Sequence, residues 1–324
     1  MAANSTDKIE SHMARIKARL VLPVIAAPMF LVSGPELVIA ACKAGVIGSF
    51  PTLNARPIEV LEDWFQRIVR ELELFKAAGG KPATWAANLI EHRSNDRADQ
   101  DVALTLKYRP EIVITALGTP AGVVAAVHDY GGLVFADVNS VAYARKAAAA
   151  GADGLVLVAS GAGGHTGPLN AFSFVPAVRE FFDGPIILGG GIINGRGVRA
   201  AQMLGADFAY IGTRFIATME SMAPQAYKQM LVDCTEEDII CSSHFTGVAA
   251  NYLKPSIIKA GIDPAQLGVR KEMKFDHRGD SAEAKAWKDI WAAGQGVRAI
   301  TSVLSTADLV DELARDYAAA APPV

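Results

Sequence analysis

Through its first two-thirds the chain repeats one beat: a short apolar run, a polar or glycine-containing loop, then an alanine-rich stretch with helical spacing. The apolar runs predict strands at Val24–Ala27, Val46–Ser49, Trp85–Asn88, Ile112–Thr115, Leu133–Asp137, Gly154–Val158, Ile186–Leu188 and Phe208–Ile211. Each run is nearly continuous, as expected for strands buried on both faces of a parallel sheet. Helices are predicted in "GPELVIAACKAG", "PIEVLEDWFQRIVRELELFKAAG", "SVAYARKAAAAG" and "GRGVRAAQMLG", several closing on a glycine suited to a left-handed C-cap. The phrases "AGADGLVL" (150–157) and "LGADFAYI" (204–211) repeat one helix-exit, strand-entry formula. Eight such units match an α/β fold of the (β/α)8 barrel type, typically about 250 residues long. A doubly wound open sheet shares the alternation. The count of eight and the unusual residues just after strands favour the barrel.

After about Ser221 the beat stops. We expect residues 1–221 to form the barrel and 222–285 a lid or small substrate domain, the latter holding "CSSHFTGVAANYLKP" and the charged "RKEMKFDHRGD". Residues 286–324 are expected to pack back on the barrel as C-terminal helices. Two helical stretches are predicted there, 282–304 and 305–320, the second opened by Ser305 or Thr306 with Asp308 in its first turn. The last four residues, "APPV", read as a frayed tail.

Composition narrows the function classes. Half of the 324 residues are hydrophobic (51%), a fifth are charged (20%), and the formal net charge is −3. With no lysine or arginine cluster, neither nucleic acid nor an anionic membrane is the expected partner. The N-terminal twenty residues mix acids and bases and lack the apolar core of a secretory signal. The run "VLPVIAAPMFLV" is broken by Pro23 and Pro28 and is too short to span a bilayer. Cys42, Cys234 and Cys241 lack metal-like spacing, so a reduced, cytoplasmic protein without structural zinc is expected. Cys42 reads as a core residue of a helix.

In such a barrel, chemistry lies at the C-terminal ends of the strands, and residues at the N-terminal ends serve stability. Asp153 and Asp207 precede their strands and read as structural. Met29, Asn88, His92, Asp137, His165, Gly190, Gly191, Gly212 and Thr213 follow theirs and should share one mouth. Among them, "ILGGGIINGRG" (187–197) and "YIGTRF" (210–215) occupy the loops after the seventh and eighth strands, where these barrels commonly hold a phosphate. Glycine lets phosphate oxygens approach unpaired backbone N–H groups. Thr213 offers a hydroxyl and Arg214 a charge. Two ordinary tight turns are the plainer alternative.

The stretch "GAGGHTG" (161–167) superficially resembles the dinucleotide fingerprint, but the third glycine position holds Thr166 and no helix begins at once. His165 therefore needs another account. A neutral imidazole takes up a proton near neutral pH, and bare flanking residues would let its loop lie against a flat ligand. His165 is accordingly the candidate catalytic group. His12 and His128 read as surface residues and His277 as solvated. His92 is placed to line the mouth, and His244 to reach down from the lid, so both are candidate substrate contacts. No G-x-S-x-G elbow, HExxH or paired-carboxylate motif occurs.

The motifs "APM" (27–29), "GAGGHTG" (161–167), "LGGGIINGRG" (188–197), "IGTRF" (211–215) and "WAAGQG" (291–296), taken in order, resemble the nitronate monooxygenase (2-nitropropane dioxygenase) family from about residue 20 to 304. The surrounding superfamily also holds NAD(P)H:quinone reductases and FMN-dependent enoyl-ACP reductases. The resemblance implies non-covalent FMN on Gly190, Gly191, Gly212 and Thr213. It places Ala27, Pro28 and Met29 near the isoalloxazine and Asn88, Asp137 and Gly164 around it. Gly294 and Gln295 would approach from a C-terminal helix. His165 matches the family's catalytic base or substrate-orienting histidine. The implied reaction is oxidation of an alkyl nitronate, or of the parent nitroalkane, by O2 to a carbonyl compound and nitrite.

Two departures stand out. Ala26 replaces the glutamine of the common Q-x-P-M pattern, and Asp137 replaces a basic residue seen in quinone-reductase-like relatives. A carboxylate beside an anionic flavin edge is unfavourable unless paired. The alternatives are a reductase using NAD(P)H on quinones or enoyl thioesters, a flavin-free phosphate-binding isomerase or lyase, and a flavin-binding sensor.

Overall fold

The computed structural model describes residues 3–92, 95–268 and 287–320. Its strands are β1 (Val24–Ala26), β2 (Ile47–Pro51), β3 (Trp85–Ile90), β4 (Ile112–Ala116), β5 (Leu133–Val138), β6 (Gly154–Val158), β7 (Gly164–His165), β8 (Ile186–Gly189), β9 (Phe208–Ile211), β10 (Ile239–Ser242) and β11 (Ala250–Leu253). Eight of them close a parallel barrel in the order β1-β2-β3-β4-β5-β6-β8-β9, with β9 returning to β1. These are the eight predicted strands, shifted by a residue or two at their ends.

The strands are apolar throughout because both faces are covered. Ile25, Ile47, Ile112, Phe135, Val156, Ile187 and Phe208 fill the barrel interior. Their alternate neighbours pack outward on helices: Ala136, Val138, Leu155 and Leu157 meet Phe174 and Val178 of the helix Ala171–Arg179. One element is new. The N-terminal helix Ala3–Lys17 sends Met13 and Ile16 into the interior cluster, stoppering the end opposite the chemistry. His12 rides on this helix and is buried at 9% exposure, 3.5 Å from Glu111, rather than on the surface.

The carboxylates at the strand N-termini are structural, as their place implied. Asp153 accepts from the Val134 amide at 2.7 Å and faces His128 at 2.8 Å. Asp207 accepts from Ile186 N, Lys17 Nζ and Arg179 Nη2. Each ties one strand's start to its neighbour.

Beyond the barrel, a helix Gln225–Asp233 leads into the antiparallel pair β10–β11. Strand β11 then pairs with β7, setting Ala250 opposite His165 and Asn251 opposite Gly164. The expected helix over 282–304 is not formed in its described part. Residues 287–304 run as turns and isolated bridges, with one short 3-10 turn at Val297–Ala299. Two glycines and close docking to the His165 loop hold this stretch extended. The closing helix Thr306–Ala319 forms as expected, capped by Ser305, and buries Leu309, Val310 and Leu313 against β1 and β9. "RKEMKFDHRGD" with His277, and the "APPV" tail, lie outside the described residues.

Candidate active site

The C-terminal mouth of the barrel opens into a cavity of about 740 Å³. Ala27, Pro28, Met29, Asn88, Asp137, Gly164, His165, Gly190, Gly191, Gly212, Thr213 and Gly294 all line it. Twelve residues scattered over 268 positions of sequence thus face one space because each follows a parallel strand or docks on that rim. His92 and His244 are not among the lining residues; His244 packs edge-on against Phe245. Gln295 also lies off the lining, its backbone N–H donating to Gly161 O at 2.9 Å.

Local structure fixes each wall. The "APM" turn is clamped by Asn54, which donates to Met29 O at 2.9 Å and Ser33 O at 2.8 Å. Asn88 on β3 donates to Ile114 O at 3.1 Å, which orients its amide. Gly190 and Gly191 adopt φ of 128° and 69°, conformations that favour glycine, and a Cβ on Gly191 would meet nothing within 4 Å. The Gly191 backbone therefore borders open cavity. Thr213 Oγ1 accepts from the Gly294 amide at 2.9 Å, which ties this rim residue to the 291–296 segment. Arg214 corrects the sequence expectation: its guanidinium is 7% exposed and turned to Glu312 (2.9 Å) and Ala299 O (2.7 Å), tying the rim to the closing helix.

His165 stands on β7, with Nε2 3.2 Å from Thr246 Oγ1 and its ring edge-on to Trp287, centroids 5.3 Å apart. Burial lowers its pKa to about 4, so the imidazole is neutral at neutral pH. The glycines around it answer to protein contacts more than to an open ligand face. A Cβ on Gly163 would fall 2.6 Å from Gly294 N, and one on Gly294 would fall 2.6 Å from Gly161 O. The loop is bare because two backbones touch there.

Asp137, at the end of β5, is the other titratable group of note. Burial pushes its carboxyl up to about 7, tempered by the Tyr210 phenol of β9 beside it. Asp137 Oδ1 and the Tyr210 hydroxyl both lack a hydrogen-bond partner of normal geometry among the described residues. Buried polar atoms left this way demand a ligand or water. Tyr210, Thr246 and Trp287 escaped the sequence reading. Tyr210 sits mid-strand in an apolar run, and Thr246 meets His165 across 81 residues of chain. Among the described residues no acid–histidine–cysteine cluster could hold a metal ion, and no helix is long and apolar enough to cross a membrane.

Comparison with known proteins adds the following. The family model described as nitronate monooxygenase matches residues 12–316. A 5-hydroxy-7a-methyl-1-oxo-octahydro-1H-indene-4-carboxyl-CoA dehydrogenase of Mycobacterium tuberculosis is 28% identical over 240 residues, 73% of this chain. The match spans 64% of that relative's length. A nitronate monooxygenase of Paraburkholderia phytofirmans is 28% identical over 343 residues, covering 91% of this chain and 92% of the relative. Among solved structures, a nitroalkane oxidase from Streptomyces ansochromogenes superposes with a TM-score of 0.75 at 25% identity, covering 92% of this chain and 96% of that one.

Proposed function

The chain belongs to the nitronate monooxygenase family, and from that premise we propose that it is an FMN-dependent oxidoreductase converting alkyl nitronates and O2 to a carbonyl compound and nitrite. The observation that carries this reading is the pairing, across one cavity, of a neutral His165 with a glycine-lined rim at Gly190, Gly191 and Gly212.

The residues suit a flavin mononucleotide. Gly191 offers backbone to open space, Thr213 a hydroxyl, and Asp137 and Tyr210 two unsatisfied polar atoms. Gly190, Gly191, Gly212 and Thr213 would hold the phosphate, with Ala27, Pro28, Met29, Asn88, Asp137 and Gly164 around the ring. When bound, FMN supplies the electron-accepting and O2-reactive chemistry, and the protein supplies position and electrostatics.

His165, neutral at working pH, has an unprotonated ring nitrogen free to take the α-proton of a nitroalkane. Burial disfavours the charged ring in the free site, so the imidazolium forms only as His165 takes that proton, beside the nitronate anion that offsets its charge. The apolar walls formed by Met29, Ile216 and Trp287 keep bulk water from the reacting carbon.

The test is oxygen uptake with a panel of nitroalkanes and their nitronates, wild type against His165→Asn. A yellow protein, nitrite release, and a loss of at least about 100-fold in nitroalkane turnover with FMN retained are expected. Nitrite from the nitroalkanes at the wild-type rate in the variant overturns the role of His165.

A second reading has one specific observation behind it. The cavity runs outward past Thr119 to Tyr143 and Lys146 on the helix Val141–Ala149, further than a small nitronate needs. That length suits a thioester with a long anionic arm, in keeping with the CoA relative's name, and an NAD(P)H-dependent reductase of enoyl thioesters or quinones. Anaerobic mixing with NADH separates the two, since rapid flavin bleaching without nitronate belongs to the reductase.

A further inference from the structure

A neutral imidazole carries one hydrogen, and its position decides which nitrogen can accept another. At His165 the surroundings bear on that choice. Thr246, only 4% exposed, lies in the connection between β10 and β11, with Oγ1 3.2 Å from His165 Nε2. The Thr246 hydroxyl donates to Val248 O at 3.1 Å. A hydroxyl has a single hydrogen, so towards His165 it acts as an acceptor. Its oxygen also receives the Val248 amide at 3.4 Å, which holds the side chain in that orientation.

Trp287 stands edge-on to the ring at 88°, and the β7–β11 pairing fixes the backbone on both sides, Ala250 opposite His165 and Asn251 opposite Gly164. The Tyr252 phenol of β11, kept un-ionised well above neutral pH by burial, is a further hydrogen-bonding neighbour of the Thr246 hydroxyl and brings a hydrogen of its own. Of the other titratable groups around the cavity, Asp137 and Tyr210 belong to barrel strands β5 and β9, Tyr143 and Lys146 to the outer helix, Tyr227 to the helix Gln225–Asp233, and Arg214 to the turn after β9.

We propose that Thr246 is a positioning residue that holds His165 as the Nε2–H tautomer, leaving Nδ1 as the ring's proton acceptor. The stretch added after the barrel thereby does more than cover the mouth. It sets which nitrogen of the histidine works, through β11 and the residues just before it. The inference rests on the proton-accepting role of His165 proposed above, but its first readout is independent of turnover.

The experiment uses the FMN-loaded protein labelled with 15N-histidine, with His165→Asn assigning the resonances. Wild type is expected to show Nε2 protonated and Nδ1 bare at pH 7. Thr246→Val is expected to retain FMN, mix the two tautomers, and lower kcat about tenfold with KM within about twofold, the scale of one lost hydrogen bond. Thr246→Ser, which restores the hydroxyl, should recover both tautomer and kcat. A wild-type ring protonated at Nδ1 overturns the proposal, as does a Thr246→Val protein with unchanged tautomer and kcat. Should Thr246→Val shed its flavin, the wild-type spectrum and the serine variant still decide. If His165→Asn turns over normally while the wild-type tautomer is as expected, the catalytic reading fails and the tautomer assignment stands.

Discussion

His165 and Asp137 face one cavity, and burial moves them in opposite directions, the imidazole down to about 4 and the carboxyl up to about 7. Both shifts favour the neutral form, and their linkage to stability has opposite signs. Between about pH 4 and 6.5 the unfolded chain binds a proton at His165 that the folded ring refuses, so this group makes stability rise with pH. Between about pH 4 and 7 the folded Asp137 keeps a proton that the unfolded one has lost, so this group makes stability fall with pH. The two largely cancel in the wild-type, flavin-free protein. Single variants should separate them in urea titrations from about pH 4.5 to 6.5. Asp137→Asn leaves the rising slope and His165→Asn the falling one, each at most about 1.4 kcal/mol per pH unit. Parallel slopes in the two variants would show that the groups are not buried as described.

At the scale of elements, the glycines divide by what they face. Gly191 borders open cavity, whereas Gly294 is pressed on the Gly161–Gly163 backbone. Substituting each by alanine should therefore have different results. Gly191→Ala is expected to cost about 1 kcal/mol of backbone strain and to weaken FMN binding well beyond that. Gly294→Ala forces the His165 loop from the 291–296 segment and strains the Thr213–Gly294 hydrogen bond, with an expected loss of about 1–3 kcal/mol as well as weaker binding. FMN titration by fluorescence quenching together with urea unfolding reads both quantities. Equal stability losses in the two would contradict the contacts. The same contact explains why "WAAGQG" is not helical: its glycines exist for close approach, and alanine-like spacing around them imitates a helix signal.

For the molecule as a whole, the barrel is closed by pieces distant in sequence. The N-terminal helix stoppers one end, and the helix Thr306–Ala319 seals the outer wall over β1 and β9. Leu313 is fully buried in that seal. Leu313→Ala should lower the unfolding free energy by about 2–5 kcal/mol in urea while kcat of the folded protein stays within about twofold. A loss below about 1 kcal/mol would mean the closing helix adds little to the barrel. The N-terminal helix was missed because its apolar residues Ile9, Met13 and Ile16 are sparse among charges, a stripe only three side chains long. A short stripe is legible once there is an open barrel end for it to fill.

What the sequence determined by itself follows from local rules. A strand covered on both faces must be continuously apolar, so Val24 to Ile211 announced eight strands, their parallel direction and hence the rim where Met29, Asn88, Asp137 and the glycines of β8 and β9 would meet. His165 stood out for the same reason, as a polar residue just past a strand. What remained for the tertiary structure was everything that depends on partners remote in the chain. Arg214 turned from the expected ligand to Glu312, Gly161 and Gly163 of "GAGGHTG" served a backbone contact with Gly294, and Asp137 found Tyr210 beside it. The contact of His165 with Thr246 belongs here too, because a hydrogen bond across 81 residues leaves no periodicity in the sequence and exists only where the fold brings its two ends together.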